Sequence, residues 1–142
     1  MDSIIKEDTS YVAEKIQPHS DYISGMEFSM DGKYFLTCSV DSSLKLWNGE
    51  NLLLINYYRH ITKLWNVAFG QVGTDGLYAA SDHYGVVLIF KLGSKVPDLY
   101  LPSIKKMPVR ALCFTKNYLI TGGDDSLLVY WDKDSINTLL IH

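Results

Sequence analysis

One phrase returns at a fixed distance along this chain, and its return limits the fold more than any other feature. TCSVDSSLKLWN (37–48) reappears as TGGDDSLLVYWD (121–132), so Trp47 and Trp131 stand 84 positions apart. That is two periods of roughly 42 residues. At the midpoint, AASDHYGVVLIFKL (79–92) keeps the rhythm but places Phe90 in the tryptophan position. A 142-residue chain made of three such copies must bury its apolar residues repeat against repeat.

Each copy opens with a strand whose apolar residues share one spacing: Ile23, Met26 and Phe28; Leu64, Val67 and Phe69; Val109, Leu112 and Phe114. The i, i+3, i+5 pattern departs once from strand alternation, which predicts a bulge after the first residue. A turn of variable length follows, SMDGK, GQVGTDG or TKN, the first with an Asp-Gly signal. Second strands are predicted at YFLTCS, LYAAS and YLITGG, and third strands at SLKLW, VVLIF and LLVYW. Fourth strands are predicted at NLLLINYY, DLYLPS and NTLLIH. No segment shows a capped 3.6-residue period, so no helix is predicted. Four short antiparallel strands per repeat describe a propeller blade. The expected fold is all-β: a partial, open β-propeller of three four-stranded antiparallel blades, preceded by one outer strand within YVAEKIQP. The expected division is a tail with that strand at 1–18, then repeats at 19–59, 60–104 (degenerate) and 105–142.

From about residue 12 onward the units resemble WD40 repeats, with Trp47-Asn48 and Trp131-Asp132 closing the third strand of the first and third copies. The resemblance implies a buried structural network of histidine, hydroxyl, aspartate and tryptophan in each blade. His19, Thr37, Asp41 and Trp47 match it in copy one. Copy three keeps Thr121, Asp125 and Trp131 but has Lys105 in the histidine position. Copy two keeps His60 and offers Ala80, Tyr84 and Phe90 elsewhere, which predicts a blade held by apolar packing alone.

Chemistry is not predicted. His19, Thr37 and Asp41 could be taken for a hydrolase triad, but the repeat accounts for all three and buries the hydroxyl. His60, Asp82 and His83 lack the spacing of a metal site, and TGGDD lacks the following helix of a phosphate loop. No catalytic residue, metal or cofactor is assigned. The net charge of −3 supplies no overall cationic field, so direct nucleic-acid and membrane partners are not expected. The chain opens without a secretory pattern and its longest apolar runs fall short of a membrane span, which predicts an intracellular protein of nucleus or cytoplasm. Cys38 and Cys113 are expected to be buried, reduced thiols.

What the family resemblance implies is a rigid platform for protein partners. By the repeat logic the side chains at the narrow, channel-facing end are Tyr22, Ser24 and Val40; Lys63, Trp65 and His83; Pro108, Arg110 and Asp124. INYYRHITKLWNVAFGQVG is similar to a blade junction in the WD-repeat subunits of the general transcription factor TFIID, with HSDYISGMEFSMDGKYFLTCSVDSSLKLWN as the blade before it. The expected function is a non-enzymatic scaffold for other protein subunits in such a multiprotein complex. The alternative is a peptide- or substrate-recognition propeller, as in ubiquitin-ligase receptors and vesicle coats. Three blades do not close a ring, so a longer chain, self-association or a partner chain is expected to complete it, and an isolated monomer to associate or fray.

Overall fold

The middle repeat shows why its strands read as unbroken apolar runs. The computed structural model describes residues 3–5, 13–70 and 76–141. Within it, the second blade is a four-stranded antiparallel sheet sandwiched between two others, so both its faces are buried. Val67, Phe69, Tyr78, Ala80, Leu88 and Phe90 point to one side and join Leu36, Cys38, Leu44 and Leu46 of the first blade. Their strand neighbours Ala68, Leu77, Ala79, Val87 and Ile89 point the other way, to Leu112, Phe114 and Leu119 of the third. The period-2 alternation of a β-strand thus feeds two cores at once.

The chain begins with a short antiparallel pair, β1 (Ser3–Ile5) and β2 (Ala13–Lys15). The strand expected within 11–18 is therefore present at 13–15, but it pairs with β1; residues 6–12 lie outside the described residues. Blade 1 is β3 (Ile23–Phe28), β4 (Tyr34–Ser39), β5 (Ser43–Asn48) and β6 (Leu54–Arg59), and blade 2 is β7 (Leu64–Phe69), β8 (Leu77–Asp82), β9 (Val87–Lys91) and β10 (Leu99–Leu101). Blade 3 has three strands, β11 (Val109–Phe114), β12 (Tyr118–Gly123) and β13 (Leu128–Asp132). The expected bulge occurs in every first strand, between Ile23 and Gly25, Leu64 and Asn66, and Val109 and Ala111. The chain is an open, partial propeller.

Two expectations are corrected. The fourth strand of blade 3, NTLLIH, is replaced by helix α1 (Lys133–Ile141). Asp132 caps it, its carboxylate taking the Asp134 N–H at 3.4 Å and the Ser135 hydroxyl at 3.4 Å, and Asp134 favours the positive end of the helix. Ile136 and Leu140, four apart, then share a face and pack into the blade 2–3 core. Cys38 is buried, its thiol pushed up to about 12 by burial, but Cys113 is exposed. It lies on the outer face of blade 3, with Leu128 (73% exposed) and Tyr130, where no sheet of the described residues packs. On the opposite flank, Ile23, Met26 (61% exposed) and Phe28 are also open, whereas their blade 2 counterparts Leu64, Val67 and Phe69 are buried. Repeat equivalence fixes which way these side chains point; burial requires a neighbouring sheet.

Candidate interaction face and the polar networks behind it

One backbone bond positions each of the turns between second and third strands. Val40 N–H donates to the Tyr22 carbonyl (3.2 Å), His83 N–H to Lys63 (3.0 Å) and Asp124 N–H to Pro108 (3.0 Å). Each turn passes through a left-handed residue at the same place: Ser42 (φ 76), Gly85 (φ 81) and Ser126 (φ 65). The bulge beside each turn re-aims one side chain, namely Ser24, Trp65 or Arg110.

Blades 2 and 3 bring four of the nine expected face residues together. The Trp65 indole N–H donates to His83 Nδ1 at 3.2 Å. The Arg110 guanidinium lies over the Trp65 ring, 4.0 Å from its centroid, and its Nε and terminal N–H bond both oxygens of Asp124 at 3.0 and 3.1 Å. Such a cation–π contact contributes about 0.5–1 kcal/mol at an exposed site. The half-exposed ion pair adds little to stability, but it fixes the guanidinium plane. Tyr22 and Lys63 are exposed, and among the described residues neither side chain bonds a member of this cluster. Ser24 turns inward and bonds the Leu64 carbonyl at 2.6 Å, tying blade 1 to blade 2. Pro108 is half-buried, and Val40 is buried, so it offers the face no side chain.

Beneath the face run the polar networks. In blade 1 the Trp47 indole N–H donates to Thr37 Oγ1 (3.0 Å), which lies 2.8 Å from His19 Nε2; His19 Nδ1 lies 2.6 Å from Ser43 Oγ, which donates to Asp41 at 2.5 Å. One direction satisfies every group: indole to hydroxyl to Nε2, then Nδ1–H to hydroxyl to carboxylate, with a neutral imidazole protonated on Nδ1. Ser43 is the member the sequence comparison missed; its place two residues after Asp41, in an aspartate-capped turn, was the available signal. The Thr37 hydroxyl is buried and engaged on both sides, so it is not available as a nucleophile.

Burial lowers the His19 pKa from its ordinary 6.5, with nearby Lys45 pushing the same way and Asp41 opposing. Burial pushes Asp41 up, but bonds from the Ser43 hydroxyl and from the Ser20 and Ser43 backbone prevail and hold it at about 2. A histidine with a depressed folded pKa binds its proton more readily when unfolded, so stability rises with pH across that interval. Its contribution is complete above about pH 6.5 and declines as pH falls below it. Urea denaturation from pH 7.5 to 5 should show this decline, and His19→Asn should flatten it.

Blade 2 corrects the expectation that its network is gone. Asp82, rather than a residue aligned with Asp41, accepts the His60 Nε2–H at 2.9 Å and the N–H groups of Tyr84 and Val86 at 2.9 and 2.8 Å. The Tyr58 hydroxyl meets His60 Nδ1 at 3.3 Å. In blade 3, Asp125 takes the Leu127 N–H at 3.0 Å, Thr121 is buried and Lys105 is exposed.

Comparison with known proteins agrees with this architecture. The model of the WD domain, G-beta repeat, matches residues 11–48. WD repeat-containing protein 36 from Homo sapiens is 23% identical across 98% of this chain and 16% of its own length. Human pre-mRNA-processing factor 17 is 29% identical across 74% of this chain and 19% of its own. The serine-threonine kinase receptor-associated protein of Dictyostelium discoideum is 30% identical across 87% of this chain and 43% of its own. The chain belongs to the WD40-repeat family. It spans less than half the length of each of these relatives. As a WD40 chain it carries the histidine–hydroxyl–aspartate–tryptophan set complete in blade 1, while blade 2 keeps a histidine–aspartate pair with Ala80 and Phe90 in the hydroxyl and tryptophan positions. In blade 3 it is cut short at the histidine. Among the described residues no three His, Cys, Asp or Glu side chains gather as metal ligands, and no helix is long and apolar enough to cross a membrane.

Proposed function

We propose that the narrow face at the junction of blades 2 and 3 docks a protein, and that the chain acts as a non-enzymatic scaffold within a multiprotein complex. The supporting observation is the Trp65 ring, held at its edge by His83 and capped by an Arg110 that Asp124 fixes from behind. Tryptophan and arginine lead the residue types at interface hot spots, and a cluster ordered before binding loses less entropy on docking. On this reading the two open apolar flanks belong to further blades or to a partner's sheet. A nuclear complex is the narrower form. One relative bears the name of a pre-mRNA-processing factor, and residues 55–73 carry the likeness to TFIID subunits. The cytoplasm is the other compartment in this reading.

The test is affinity capture from the source cell by the intact chain and by two variants, with denaturation midpoints measured in parallel. Arg110→Glu is expected to reduce recovery of a captured partner about tenfold while costing no more than about 1 kcal/mol of stability, because its ion pair and its contact with Trp65 are exposed. Trp65→Ala should act in the same direction. Undiminished capture by both folded variants would remove the face from consideration. If Trp65→Ala unfolds the chain, the ring is packing and Arg110→Glu alone decides.

A further inference from the structure

Two positions recur in every blade: the residue re-aimed by the first-strand bulge, and the first residue after the second strand. Blade 1 fills them with Ser24 and Val40, and the serine bonds elsewhere, to the Leu64 carbonyl. Blade 3 fills them with Arg110 and Asp124, an ion pair. Blade 2 fills them with Trp65 and His83, joined by one hydrogen bond of 3.2 Å. Chemistry fixes the direction of that bond. An indole N–H donates and has no lone pair to accept with, so His83 Nδ1 is the bare nitrogen and the ring proton sits on Nε2.

Histidine is the side chain whose ordinary titration falls between about pH 5 and 8. A second proton on this ring goes to Nδ1, the atom that accepts the indole N–H. The contact then sets two donors head to head, and one ring has to move. Both rings are half-buried, so the proton can arrive from solvent. The surroundings offer the charged ring no new hold. Lys63, whose carbonyl takes the His83 N–H at 3.0 Å, carries an exposed ammonium. Across the indole stands the Arg110 guanidinium, 4.0 Å from the ring centroid, with both oxygens of Asp124 bonded to it. The loop that passes Gly85 adds Lys105 and Lys106, both exposed. On its own turn His83 meets Tyr84 edge-on at 5.6 Å, and the Asp82 carboxylate is taken by His60 and two turn amides. Among the described residues no carboxylate forms an ion pair with His83.

We propose that His83 is a proton-operated latch on the docking face. With Nδ1 bare it aligns the Trp65 ring for the partner; with Nδ1 protonated it lets the ring go, so the partner is held near neutral pH and released in acid. This rests on the docking reading above, since it is the order of the Trp65 cluster before binding that favours docking. The latch acts on side chains alone. The bond from the His83 N–H to the Lys63 carbonyl, which anchors the turn, involves no titrating atom.

The test follows the indole N–H resonances of the three tryptophans in the isotopically labelled chain between about pH 8 and 5. Recovery of the protein that the chain captures from the source cell is measured at both ends of that range. The Trp65 signal should move with pH to a released position, and recovery should fall about tenfold. Trp47, linked through Thr37 to His19, and Trp131 report on the rest of the fold. His83→Asn puts an amide oxygen in the place of Nδ1 and does not titrate. It should fix the Trp65 signal and remove the pH dependence of recovery, whatever the level at neutral pH. His83→Leu, with no acceptor, should show the released signal throughout. A Trp65 signal that ignores pH, or that titrates equally in His83→Asn, would overturn the latch. A signal that titrates through His83 while recovery stays level would overturn its control of docking and leave the docking reading intact. Recovery of nothing, or recovery indifferent to Arg110→Glu, would remove the docking reading instead, with the Trp65 signal still titrating through His83.

Discussion

Replacing Phe90 with alanine is expected to lower the stability of the chain by about 4 kcal/mol. Phe90 is fully buried, stacked on Tyr78 at 4.9 Å and 5° and met edge-on by Tyr58 at 5.5 Å. It reaches into the cluster that joins blade 2 to blade 1, so the cavity would open at the interface between sheets rather than inside one. Neighbours on two separate sheets cannot collapse into it without shifting a blade. Tyr78 and Tyr58 close around Phe90, and Phe90→Trp should cost about 1–3 kcal/mol through overpacking. Urea denaturation with the slope monitored measures both effects. A loss below about 1 kcal/mol for Phe90→Ala would mean that the blade 1–2 contact contributes little to cooperativity.

What could be read from the sequence follows from what a repeat encodes. The spacing Leu64, Val67, Phe69 and its two copies gave strand positions, the bulge and the direction of each side chain, because those depend on local backbone geometry. Whether a directed side chain becomes buried depends on a neighbouring sheet. The spacing is therefore the same for Met26 and Val67, although one is exposed and the other buried. Cys113 misled for that reason. Helix α1 was hidden differently: Ile136 and Leu140 suit a strand as well as a helix, and Asp132 was taken as the end of a repeat phrase rather than as a cap. The contact between Trp65 and Arg110 joins equivalent positions in adjacent blades. Equivalence marked both residues for the same face, but only the lateral packing of their first strands shows that they touch.

Asp82 is the residue at which aligning copies and following hydrogen bonds disagree, and its replacement separates the two. Alignment treats blade 2 as stripped of its network, so Asp82→Ala should be no worse than a change in any surface turn. The structure holds Asp82 buried, with three N–H donors on its two oxygens. Its removal would leave the His60 Nε2–H and two turn amides without partners in a site closed to bulk water. The expected loss is about 3 kcal/mol, near that of breaking a buried charged pair. Asp125→Ala in blade 3 is the internal control. That carboxylate is half-exposed and caps its turn through the Leu127 N–H, so about 1 kcal/mol is expected. Equal losses at the two positions would return blade 2 to apolar packing alone. A large loss at Asp82 that shrinks when His60→Ala is already present would show that the imidazole and carboxylate act as a unit. In that case the second repeat has moved its acidic partner two positions earlier, to the last residue of β8. The distance from imidazole to carboxylate, 2.9 Å here against 3.4 Å in blade 1, shows that this placement reaches the ring directly, without the serine that intervenes at His19.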